Sequence, residues 1–168
     1  MGVLNFITRT RRSHALEHAT IQVLHRRYPG VRLAGRSAPG GFYIYGHVPA
    51  AAVQSAVREA LARLRGGSHD LAIHSRCGTN LVTAGILAGL VSFLTMLPGS
   101  DRSRRERLPL VWVLVTLALL VAQPLGPLVQ RYVTTETNLE HTGIVGVTQG
   151  RLGQLAVHRV RLEHRVGG

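Results

Sequence analysis

The chain has 168 residues, a formal charge of +12, 45% hydrophobic residues and one cysteine. The lone Cys77 excludes an internal disulfide framework and suits a reducing compartment or a metal site. The charge does not point to nucleic acid as a partner: the arginines are scattered, aromatics are 5% of the chain, and no recognition motif is present.

The opening MGVLNFITRTRRSHA has no long apolar stretch, so it does not read as a signal peptide. Gly2 lacks the Ser or Thr that myristoylation needs at position 6, which is Phe6. A helix is predicted over Ser13–Arg27, with Ser13 as N-cap and Pro29-Gly30 as the stop. At 100° per residue Leu16, Ala19, Thr20 and Val23 make one mainly apolar side. His14, Glu17, His18, Ile21 and His25 fall on the other, where a surface helix would more usually carry Lys, Arg or Gln. His25, beside Arg26 and Arg27, reads as a solvated or lipid-facing basic residue.

Val31–Arg36 and Phe42–Gly46 read as two strands joined at Pro39-Gly40-Gly41. Pro49 then opens a helix over Ala50–Leu64. Its packing stripe is Ala52, Val53, Ala56, Val57, Ala60, Leu61 and Leu64, and Gly66-Gly67 ends it. Leu71–Ser75 reads as a short strand. The expected fold class is therefore α+β, in the order α-β-β-α-β.

Two uncharged apolar runs follow, Leu81–Leu97 and Leu108–Val129, each within the 17 to 25 residues or so that a membrane helix needs. The first is short and must borrow Gly78–Asn80 or Pro98. Its Gly85 and Gly89 form a G-x-x-x-G that allows close helix approach, either to the second span or to another copy of the chain. Pro124 and Pro127 predict a kink or an early exit. Beyond Arg131, Ile144–Thr148 and Gln154–Leu162 read as strands around Gln149-Gly150-Arg151, forming a hairpin that can add to the N-terminal sheet. The expected division is an α+β domain over 1–78, a transmembrane hairpin over 79–130 and a C-terminal β segment over 131–168.

Charge counts near the spans tie. Arg102, Arg104, Arg105 and Arg107 in the turn face Arg63, Arg65, Arg76 and Arg131 on the flanks. The basic domain ahead of the first span favours the cytoplasm for both termini. The expected location is thus a membrane crossed twice. The expected partners are membrane lipid and either further copies of the chain or a larger membrane complex.

The chemistry concentrates in two clusters. His14-Ala15-Leu16-Glu17-His18 places two imidazoles at i and i+4 on one helix face, where both reach one zinc ion. Glu17 beside them is placed to take a proton from zinc-bound water. His74-x-x-Cys77 supplies a second imidazole–thiolate pair, both good zinc ligands. His14, His18, His74 and Cys77 together would be a closed structural site, whereas three ligands and a water would indicate catalysis. In the closed case Glu17 becomes a carboxylate that orients a ligand histidine. A thiol-protease pair of Cys77 and His74 is poorly spaced for the hydrogen bond it needs.

The H-x-x-E-H run resembles the inverted zinc-peptidase signature of the insulinase-like enzymes. That resemblance implies His14 and His18 as ligands and Glu17 as general base. The further glutamate ligand of those enzymes has no matching segment here; Glu59, Glu136 and Glu140 are the candidates. The whole pattern, HALEHATIQVL followed by CGTNLVTAG running into the first span and then a second span, looks like a family of small uncharacterised bacterial membrane proteins. The function expected is that of a membrane-anchored zinc-binding protein, as a zinc-dependent peptidase or amide hydrolase. The alternative is a non-enzymatic assembly or structural subunit of a membrane complex, with or without structural zinc.

Overall fold

A computed structural model describes residues 3–97 and 105–164. Gly2, Pro98 and the turn residues Arg102 and Arg104 lie outside the described residues. The chain divides into two compact units, one of residues 1–74 and 134–168, the other of residues 75–133.

The first unit is built on helix α1, Val3–Arg27. It begins ten residues before the expected start, because neither Gly nor Pro interrupts the chain between Val3 and Ser13. Ser13 is accordingly not a cap; it is buried inside the helix, and its hydroxyl makes no hydrogen bond. Pro29 lacks the N–H that another turn would need. Tyr28 N–H closes the last bond to Leu24 at 2.7 Å.

Strands β1 (Ala34–Ala38) and β2 (Gly41–Tyr45) form the expected hairpin, and α2 (Ala50–Arg65) follows. The expected stripe of α2 is buried at Val53, Ala56, Val57, Ala60, Leu61 and Leu64, with Ala52 half-buried at its edge. The predicted strand at Leu71–Ser75 does not form. His69–Ala72 is instead a turn of 3-10 helix. The reason lies in α1. Gln22 donates to the carbonyls of Leu71 at 3.1 Å and Ile73 at 2.7 Å, and the His18 ring bonds that of Ala72 at 2.7 Å. The carbonyls a strand would offer to a neighbour are bound by side chains of α1.

β3 (Thr142–Leu152) and β4 (Leu155–His164) complete the unit. They run past the predicted turn at 149–151 and reverse at Gly153-Gln154. Gly153 has φ +60°, which suits the first central position of a type II′ turn. The sheet is antiparallel in the order β1-β2-β4-β3, with Phe42 opposite Val160 and Ile44 opposite His158. The C-terminal hairpin thus joins the N-terminal one in a single sheet. Arg65 at the end of α2 secures the approach to β3 by donating to the carbonyls of Leu139, Glu140 and Thr142. One sheet face packs on α1 and α2 through Phe42, Ile44, Val160 and Leu162. α1 lies between α2, the sheet and the 3-10 turn. Glu17, His18 and Ile21 are therefore buried with Leu16 and Ala19, and the two expected sides of the helix do not separate into core and surface.

The second unit is a helical hairpin of α3 (Gly78–Met96) and α4 (Leu108–Val129). Both are long and apolar enough to cross a membrane, the second by way of a π-helical turn at Gln130–Thr134. α3 does start at Gly78, with the Cys77 sulfur accepting from Thr79 N–H at 3.4 Å. α4 runs through Pro124 and Pro127 and does not exit early. The close approach of the two helices is not at Gly85 and Gly89, where an added Cβ would meet nothing within 4 Å. It is at Gly126, where a Cβ would overlap the Asn80 carboxamide. Asn80 accepts from the fully buried Gln130 at 2.5 Å and donates to the Ser75 carbonyl at 2.8 Å. A carboxamide pair needs that space, and glycine supplies it.

Candidate metal centre

The i, i+4 spacing on α1 brings the His14 and His18 ring centroids to 4.2 Å, and the two rings offer nitrogens within 4.8 Å of each other. Each ring is oriented by a backbone carbonyl. His14 Nδ1 lies 2.9 Å from the Thr134 oxygen and His18 Nδ1 lies 2.7 Å from the Ala72 oxygen. A carbonyl only accepts, so both Nδ1 atoms carry a proton, and in the neutral imidazole each Nε2 then carries the lone pair. A metal-binding histidine takes the same arrangement, with the second nitrogen donating to a carbonyl or carboxylate that fixes the ring. His18 is buried and His14 half-buried.

His74 stands beside this pair. Its ring centroid is 5.7 Å from that of His18 and it stacks on His25 at 6.1 Å. His25 is half-buried against His74, not a freely solvated residue. Cys77 caps α3, and the N-terminus of a helix favours an anionic sulfur, the form that binds metal.

Glu17 turns toward β1. It is buried, its carboxylate accepts from the Ser37 hydroxyl, and it occupies the space that a Cβ on Gly35 would fill. Of the three carboxylates considered as further ligands, Glu59 is ion-paired with Arg27 and Arg63. Glu136 accepts from Asn138 N–H at 3.1 Å, and Glu140 is exposed. Sequence reasoning did not single out Gln22 or Ser37. Gln22 was within reach, since it continues the stripe of His14 and His18 by four more residues. Ser37 carried no signal, because nothing in the chain says which strand α1 lies against.

A family model described as a domain of unknown function, DUF6391, matches residues 9–147. The chain belongs to that family. The match takes in α1 from Arg9, both helices of the hairpin and the start of β3, so all four candidate ligands of the DUF6391 chain fall inside it. An uncharacterized protein of Picosynechococcus sp. (strain ATCC 27264 / PCC 7002 / PR-6) is 38% identical over 135 residues. That alignment covers 74% of this chain and 65% of the relative, so the chain spans somewhat less than two thirds of the relative's length. No solved structure matches the DUF6391 chain.

Proposed function

We propose that this chain is a membrane-anchored zinc-binding protein. In this reading His14 and His18 bind the ion through Nε2, and His74 and Cys77 complete the closed four-ligand set of a structural site. The observation that carries it is the pair of Nδ1–carbonyl bonds, which orients two adjacent imidazoles as ligands. Cys77 lies three residues beyond His74, so their Cα atoms are at most about 11 Å apart in any backbone conformation. A mixed imidazole–thiolate set suits zinc better than magnesium or calcium, which prefer oxygen.

The role that follows best is structural. His18 holds the backbone just before the hairpin, at Ala72, and His14 holds it just after, at Thr134. A metal on these two rings would fasten α1 to both ends of the excursion. Bound zinc would supply Lewis acidity or a cross-link; this chain's own side chains orient the rings. A second reading, hydrolysis of a peptide or amide, rests on the H-x-x-E-H order. It requires Glu17 to act as base, and the bond from Ser37 and the packing on Gly35 give that carboxylate a positioning role.

The pairing of β2 with β4 supports a topology in which both parts of the first unit lie on one side of any membrane that the hairpin crosses. The basic composition favours the cytoplasmic side for both. The test is zinc per chain by elemental analysis of detergent-purified protein, wild type beside a His14→Ala/His18→Ala variant. Near-stoichiometric zinc that the variant loses is the expected result. Metal-free wild type after folding with zinc would overturn the proposal. Glu17→Gln separates the two readings: it keeps zinc in both, and hydrolysis lost in that variant but present in wild type would favour the second.

A further inference from the structure

The sheet has a second face, turned away from α1 and α2, and the zinc reading makes no use of it. Alternation places Tyr43 and Tyr45 of β2 there, with Arg36 of β1 and Val157, Arg159 and Arg161 of β4. The register makes two rows. In one, Arg36 lies opposite Tyr43, and Tyr43 opposite Arg159. The Arg159 guanidinium lies 5.8 Å from the centre of the Tyr43 ring, a cation–π distance. In the other, Tyr45 is flanked by Ala34 and Val157, and Val157 by Gly150. Small residues beside Tyr45 leave room over its ring. A cleft of about 380 Å³ opens there, lined among others by Tyr43, Tyr45, Gly150, Arg151, Val157 and Arg159. No carboxylate among the described residues lines it. Glu163 shares the face but sits toward the far end of β4, opposite Gly143.

We propose that this cleft binds a free nucleotide, its base stacked on Tyr45 and its phosphate held by Arg159. An aromatic ring with space above it accepts a planar base of any sequence. Guanidinium groups pair with phosphate oxygens through two parallel N–H donors. A cleft of this volume lies at the small end of ligand pockets and takes one nucleotide better than a strand. Arg159 in the cleft, Arg36 and Arg161 on the same face, and no carboxylate among the described lining residues give it the complementary charge.

The experiment is equilibrium dialysis of AMP against the full chain in phosphatidylcholine nanodiscs, with adenosine, inorganic phosphate and a hexa-adenylate RNA as the other probes. One AMP per chain is expected. Adenosine and phosphate each bind at least about tenfold more weakly, since each keeps half of the contacts. Tyr45→Ala and Arg159→Gln, both on a sheet face outside the core, each weaken AMP by about tenfold or more with unchanged circular dichroism. The proposal is overturned if AMP fails to saturate, or if neither substitution changes its affinity. It is also overturned if the RNA binds more than about a hundredfold tighter than AMP, which would make the face a strand platform. Loss of AMP binding when anionic phosphatidylglycerol enters the nanodisc would make it a lipid-headgroup surface and overturn the proposal as well.

Discussion

Gln22→Leu tests whether α1 dictates the path of residues 71–75. The substitution shortens the side chain by one bond and removes its two hydrogen bonds to the carbonyls of Leu71 and Ile73. Each such bond contributes about 1 kcal/mol net, and both carbonyls lose a partner together, so the expected cost is about 2 kcal/mol. The first unit comprises about 110 residues, with an unfolding entropy near 2.1 cal/mol/K per residue; the same change lowers Tm by about 9 °C. The assay is urea unfolding in a fixed detergent, read by circular dichroism, with Gln54→Leu on the exposed side of α2 as control. The control should move by less than about 0.5 kcal/mol. If Gln22→Leu moves no further than the control, the 3-10 turn has another cause and the argument fails. On the zinc-binding reading proposed above, a genuine loss should also weaken zinc retention, because the freed segment carries His74 and leads into Cys77.

Gly126→Ile should force the Asn80–Gln130 carboxamide pair apart, since its Cβ falls on Asn80. Overpacking of this kind costs about 1–3 kcal/mol, whereas Gly89→Ile should be close to neutral within one chain; resistance to urea and protease in detergent compares the two. Gly35→Ala should displace the Glu17 carboxylate from Ser37 and destabilise the first unit by about 1–3 kcal/mol, a loss that an unchanged urea midpoint would contradict. The pKa of His158 is lowered by burial, opposed only in part by the nearby backbone of Gly46 and Val48. The pKa of His164 is lowered by burial and then by Arg12 and Arg9. Both groups bind protons less readily in the folded state. Their stabilisation is therefore full above the unfolded value of about 6.5 and is lost as pH falls below it, through the lowered folded values. His158→Leu should flatten the fall in stability between pH 7 and 5, by up to about 1.4 kcal/mol per pH unit, and an identical slope in the variant would refute the assignment.

The parts of the fold legible in the sequence were those with a clear period or clear punctuation. The stripe of α2, the turn after β1 and the two apolar runs follow from residue spacing alone. The misjudged parts depended on tertiary partners. Leu71–Ser75 has strand composition, but His18 and Gln22 bind its carbonyls from forty-nine or more positions away in the chain. Gly85 and Gly89 have the right spacing for helix packing, yet the helices meet at Gly126, where two carboxamides needed room. At the site, the adjacency of His14 and His18 was readable from i, i+4. The carbonyls that orient them were not, because Thr134 is 120 positions from His14.

The order β1-β2-β4-β3 also has a consequence for biosynthesis. When β2 leaves the ribosome, its neighbour β4 does not yet exist; the apolar hairpin is made in between. At about 5–20 residues per second, the roughly ninety residues from Ser75 to His164 take about 5–18 s to emerge. Through that interval the edge of β2 lacks its ladder partner, and Phe42 and Ile44 lack the cover of Val160 and His158. An unpaired apolar edge invites association with other chains. A nascent chain of this architecture thus delivers its whole apolar hairpin before its sheet can close, and the domain that precedes the hairpin completes its fold only after the hairpin is made.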